Sequence, residues 1–143
     1  MDRDASVLLV ATMDTKGSEA AFVASLIQAA GVEVRIMDAG IRGSGTHPVL
    51  VTREEVAREA GTTLEAVQQI GHEGEALAAM IRGAVPIARR LYDEGKVSGV
   101  FGIGGSMGTT LGTAVMRAFP LGVPKLMVTT MASRDTRAFV GTR

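Results

Sequence analysis

The most glycine-dense stretch of the chain reads Gly102-Ile103-Gly104-Gly105-Ser106-Met107-Gly108-Thr109-Thr110. Consecutive glycines let backbone N–H groups converge on an anion with no Cβ in the way. A helix starting at about Thr109 adds the positive end of its dipole behind them. Thr109 and Thr110 offer hydroxyl donors. A second loop, Thr12-Met13-Asp14-Thr15-Lys16-Gly17, carries a hydroxyl, a cation and a carboxylate in the same small space. Lys16 supplies a point charge for a phosphate. Asp14 suits either Mg2+ held through water beside phosphates or a helix N-cap. Asp38 sits where a strand should end, a position that accepts ribose hydroxyls in many nucleotide-binding sheets and that equally suits a turn carboxylate. Together these residues point to phosphate binding.

Other chemistry fits less well. A P-loop needs Lys before its Ser/Thr, and Gly108 stands directly before Thr109. The dinucleotide fingerprint places Met107 at its third glycine. Gly104-Gly105-Ser106-Met107-Gly108 matches the nucleophile elbow of serine hydrolases. Such an enzyme needs a His after the serine, and the two histidines, His47 and His72, both precede it. Residues 52–67 resemble a helix-turn-helix in outline, but carry four Glu against two Arg. DNA reading is therefore disfavoured. The histidines have no metal-ligand spacing, so no metal site is expected from protein ligands alone. Arg134 and Asp135 suit a flap over a ligand or a solvated loop.

The elements that must position these residues follow from periodicity. Val7–Ala11 is an uninterrupted apolar run, as in a strand buried on both faces of a parallel sheet. Val23, Leu26, Ile27 and Ala30 recur at helical spacing, and Gly31 stops that helix. A second strand runs from Val32 to Asp38. Capping boxes at Thr52–Glu55 and Thr62–Glu65 begin two short helices, an inserted segment of about residues 52–72. A longer helix is expected over about 75–94, bent or broken in two by Gly83 and Pro86. A third strand (97–103), a helix (109–119) and a fourth strand (123–128) complete a Rossmann-like open parallel sheet of four to five strands, with helices on both faces. The simplest strand order is 2-1-3-4. It places the two loops together at the carboxyl ends of strands 1 and 3, where ligands bind in such sheets.

Composition bounds the rest. The 143 residues suit a single domain, and 46% are apolar but only 3% aromatic, so the core must be aliphatic. Net charge is zero, which gives no bulk attraction to nucleic acid or anionic membrane. Absence of cysteine rules out thiolate chemistry and suits a cytoplasmic protein. No apolar run is long enough to span a bilayer. The opening residues Met1 to Asp4 lack the pattern of a signal peptide.

Four ordered segments are similar to those of an uncharacterised protein family. They are Val10–Gly17, Asp38–Gly43, Gly102–Thr110 and Pro124–Ser133. Plant relatives of that family include the tomato mosaic virus resistance protein. The resemblance implies an N-terminal ATP-binding domain, with Mg2+ as an optional companion of the nucleotide. It implies that the nucleotide rests on Asp14, Thr15, Lys16 and Gly17, on Gly104, Gly105, Ser106, Gly108, Thr109 and Thr110, and on the loop bearing Thr129, Met131 and Ser133. It further implies a longer protein, with a second part to this domain and a separate C-terminal domain. The fourth strand would then be an open edge, suited to a homo-oligomer or to that missing domain. The alternative function is an oligomerisation or protein-interaction module with a vestigial pocket. The antiviral role belongs to the plant relative and is not carried over.

Overall fold

A computed structural model describes residues 4–43 and 47–141. Met1–Arg3, Ser44–Thr46 of the Gly-rich loop, and Thr142–Arg143 lie outside them. Four strands form one parallel sheet in the order β2-β1-β3-β4: β1 Ser6–Ala11, β2 Glu33–Asp38, β3 Gly99–Gly104 and β4 Lys125–Thr129. The expected order is the observed one, and β1 and β3 stand side by side at its centre.

Alternation along β1 splits the core in two. Leu8 and Val10 face the larger cluster, with Met37, Val100 and helices α2 (Arg53–Glu59), α4 (Glu73–Asp93) and α5 (Ser106–Arg117). Leu9 and Ala11 face the opposite way, against Ala20 and Ala24 of α1 (Met13–Ala29). All four β1 residues are at most 1% exposed, as a strand covered on both faces requires. Gly31 (φ 81°) and Gly95 (φ 73°) end α1 and α4 in the left-handed region, so glycine is the residue that fits both stops.

Two expectations are corrected. Pro86 does not divide the long helix: α4 continues through it for 21 residues. Gly83 is there for a different reason. A Cβ on it would fall 1.8 Å from the Val56 carbonyl oxygen, so its bareness lets α2 lie directly on α4. The second correction concerns starts. α5 begins at Ser106, three residues before the expected Thr109, and α1 begins at Met13. The two Gly/Thr loops are therefore largely first turns of helices.

The inserted segment folds as α2 and α3 (Leu64–Gln68). Thr52 caps α2 through its expected capping box. The Thr62–Glu65 box does not form: the cap of α3 falls one residue later, at Thr63, which accepts from the Ala66 N–H at 3.1 Å. Among the described residues, no helix is long and apolar enough to cross a membrane.

Candidate functional site

A cleft of about 510 Å³ opens at the carboxyl ends of β1, β2 and β3. That is within the roughly 300–1,000 Å³ of small-molecule sites. The starts of α1 and α5 form one side, with Thr12, Asp14, Thr15 and Lys16 from the first and Gly105, Ser106, Met107 and Gly108 from the second. The two chemically rich loops thus share one cavity. The rest of the lining comes from Ile41 and Arg42 after β2, from Val67–Gly71 on and after α3, and from Glu73, Ala76 and Leu77 of α4.

The start of α5 leaves backbone donors without a side-chain cap. Gly105 occupies the N-cap and provides no side-chain cap. The first intrahelical bond runs from the Thr109 N–H to the Gly105 carbonyl, 2.9 Å. The N–H groups of Ser106, Met107 and Gly108 precede that bond and so lack an intrahelical acceptor. All three residues line the cleft. Gly104 makes the turn possible: a Cβ there would lie 2.6 Å from the Gly108 Cα. Gly105 is different, since its Cβ would meet only the Thr130 hydroxyl at 3.7 Å. Gly104 shapes the loop, whereas Gly105 has room for a side chain.

The start of α1 contributes side chains more than backbone. Its Met13 N–H donates to Asp38 Oδ1 at 3.1 Å, and the Thr15 and Lys16 N–H groups turn back on the Thr12 carbonyl at 3.1 and 2.8 Å. Lys16 departs from helical geometry (φ −125°, ψ 16°) and its ammonium lies 3.7 Å from Glu19 on the surface. Exposed pairs of that length are weak, so Lys16 is available to a phosphate. The Asp14 carboxylate accepts from the Arg42 N–H at 3.0 Å through Oδ2, while its buried Oδ1 has no hydrogen-bond partner among the described residues. The described residues contain no group of three His, Cys, Asp or Glu able to hold a metal by themselves.

Several sequence-derived site residues lie elsewhere. Asp38 is 3% exposed and does not line the cleft. Its Oδ1 accepts from Met13 and Gly40, and its Oδ2 accepts from the Arg53 guanidinium at 2.8 Å. Of the ribose and turn-carboxylate roles expected for it, its observed bonds are those of a turn carboxylate, accepted from Met13, Gly40 and Arg53. Thr109 and Thr110 also change roles. With α5 starting early, both fall in its first turns, and their hydroxyls bond back to the Gly105 and Ser106 carbonyls. Thr109 also pairs with the Thr129 hydroxyl. Gly17 is buried against His47 rather than facing the cleft.

Thr129 caps the 3-10 turn Thr130–Ser133 that holds Met131 and Ser133. None of the three lines the cleft, because β4 lies on the far side of β3 from β1. Asp135 pairs with Arg137 at the surface, and that guanidinium, followed by the Arg137 N–H, holds its carboxyl below the ordinary value. Neither histidine stands behind Ser106 as a base. His72 caps α4 by accepting from the Glu75 N–H at 3.2 Å, and His47 packs on Gly17.

The sequence reading missed the rest of the lining. Val67 and Ile70 belong to the inserted helices, whose pattern signals helix but not what the helices enclose. Ile41 and Arg42 stood within one of the four ordered segments, and that was the available signal.

Comparison with known proteins agrees with the ordered motifs. Residues 5–143 match the family model described as Uncharacterised protein family (UPF0261) N-terminal domain. A UPF0261 protein of Clostridium tetani is 36% identical over 135 residues, 94% of this chain and 33% of its own length. Another, from Mesorhizobium japonicum, is 40% identical over 134 residues, again 94% of this chain and 33% of the relative. The ToMV susceptible protein tm-1(GCR26) of Solanum lycopersicum is 36% identical over 69 residues, 48% of this chain and 9% of the plant protein. The chain thus spans about a third of the length of its bacterial relatives. On this evidence the chain belongs to the UPF0261 family and corresponds to its N-terminal domain.

Proposed function

We propose that the cleft binds the phosphates of a nucleotide, ATP in the first instance, with Mg2+ as an optional companion. The observation that carries this reading is the convergence of the start of α5, without a side-chain cap, and of Lys16 on one cavity. Backbone N–H groups and a helix dipole favour an anion there, and Lys16 adds a full charge. The family resemblance of the four segments supports ATP among nucleotides. Among the described residues no general base or arginine finger can be picked out, so hydrolysis is not part of the proposal. A cytoplasmic setting, which the cysteine-free composition suits, belongs to the same proposal.

Calorimetric titration with ATP, with and without Mg2+, tests the reading. Saturable binding below millimolar ATP is expected. Gly105→Leu should abolish it without changing the unfolding midpoint, because Gly105 faces the cleft and not the core. A folded wild-type chain that shows no heat up to millimolar ATP would sink the proposal.

A second reading concerns assembly. β4 ends the sheet, with Leu126 and Val128 both about half exposed on the face that α1 leaves uncovered. An open edge with apolar side chains favours a second copy of the chain, or the remaining two thirds found in longer relatives. Light scattering with and without ATP separates this from nucleotide binding. A module of this kind alone gives a stable dimer indifferent to nucleotide.

A further inference from the structure

We infer that the ring of the bound nucleotide, its base, lies against the wall made by the inserted helices and the start of α4. This rests on the phosphate reading above and adds the orientation of the ligand. Two observations carry it.

The first is the division of the cleft. Its backbone donors and Lys16 come from the starts of α1 and α5, whereas Ile41, Val67, Ile70, Ala76 and Leu77 make an apolar stretch of the lining, beside which Arg42 and Glu73 pair with each other at 3.8 Å. Val67, Ala76, Leu77 and Ile41 are each at most 9% exposed, so this is a core surface that forms the floor of a cavity. An aliphatic floor takes a flat, poorly hydrated ring and offers nothing to a phosphate. Gln69, exposed at its rim, carries an amide able to meet the polar edge of such a ring.

The second is the closure of the usual alternative. In a sheet of this type the ribose and base commonly lie over the end of β2, held by the carboxylate there. Here that carboxylate is Asp38, enclosed and saturated by Met13, Gly40 and Arg53. Arg53 is the first residue of α2. The same insertion that seals Asp38 through α2 therefore brings up the apolar wall through α3. It removes one seat for the ligand and supplies another.

The test compares ATP with inorganic tripolyphosphate on the whole 143-residue chain. Methyl groups of Ile41, Val67, Ile70 and Leu77 are followed by 1H–13C spectra. A base stacked on that wall shifts these methyl resonances through its ring current, whereas tripolyphosphate leaves them in place. Affinity provides a second readout. Ile70→Glu should weaken ATP by at least about tenfold, while tripolyphosphate stays within about twofold of wild type. Three results would overturn the inference. One is ATP binding with the four methyl groups unmoved. Another is equal affinity of the wild type for ATP and tripolyphosphate, which leaves the phosphate site standing without a base site. The third is failure of either ligand to bind, which removes both readings.

Discussion

Helix propensity and tertiary packing predict opposite signs for one substitution, Gly83→Ala. By propensity alone, Ala within a long helix gains roughly 1 kcal/mol over Gly. The structure argues otherwise. The added Cβ would lie 1.8 Å from the Val56 carbonyl oxygen. An ordinary carbon–oxygen contact is about 3.3 Å or longer, so α2 and α4 must part locally by about 1.5 Å. Val56 and Ala57 are fully buried, and their packing cannot absorb such a shift without opening voids. Overpacking in a dense core costs about 1–3 kcal/mol, and a displacement of this size belongs at the upper end. After the propensity gain, a net loss of about 1–2 kcal/mol is expected. Urea unfolding followed by far-ultraviolet circular dichroism measures it directly. The midpoint should fall with an unchanged slope. A variant as stable as wild type, or more stable, would refute the close α2–α4 contact.

Further outcomes follow from the same geometry. Arg53→Ala leaves Asp38 buried without its guanidinium partner and should cost about 3–5 kcal/mol by urea unfolding. Arg53→Lys should recover only part of that, since the Nε bond to Asp38 and the Nη1 bond to the Gly43 carbonyl are lost. Thr52→Ala removes the capping box of α2 and should cost about 1 kcal/mol. Gly104→Ala should lose both stability and ATP binding, unlike the substitution at Gly105, because its Cβ meets backbone rather than open space. Asp135 should titrate below the ordinary aspartate value in carbon-detected spectra, and Arg137→Ala should bring it back up. The sign follows from the lowered value: what the pair contributes is present above the ordinary carboxylate range and fades as pH falls through the lowered one.

Much of the architecture was legible because it depends on local pattern. The run from Val7 to Ala11 marks a doubly covered strand, and Gly31 and Gly95 mark helix ends through a backbone conformation that other residues resist. The meeting of the α1 and α5 starts followed from strand order alone. What was not legible depends on partners distant in sequence or on small shifts of register. Asp38 reads equally as a ligand-facing or a turn carboxylate until Arg53, fifteen positions on, is seen to enclose it. Thr109 and Thr110 read as donors to a phosphate until α5 starts at Ser106 and their hydroxyls fold back on their own helix. Gly83 reads as a weak point in the helix because propensity knows nothing of Val56. The apolar stretch of the lining escaped because α3 announces itself as a short capped helix, and nothing in Val67 or Ile70 distinguishes a cavity floor from ordinary core.

The central claim is that the start of α5, together with Lys16, holds the phosphates of a nucleotide. Its most direct measurement is the 1H–15N spectrum of the chain as ATP, and separately tripolyphosphate, is added. The account predicts that the amides of Ser106, Met107 and Gly108 move first and farthest with both ligands, joined by those of Asp14 and Lys16. It is contradicted if these amides stay in place while either ligand binds elsewhere, or if neither ligand moves them at millimolar concentration.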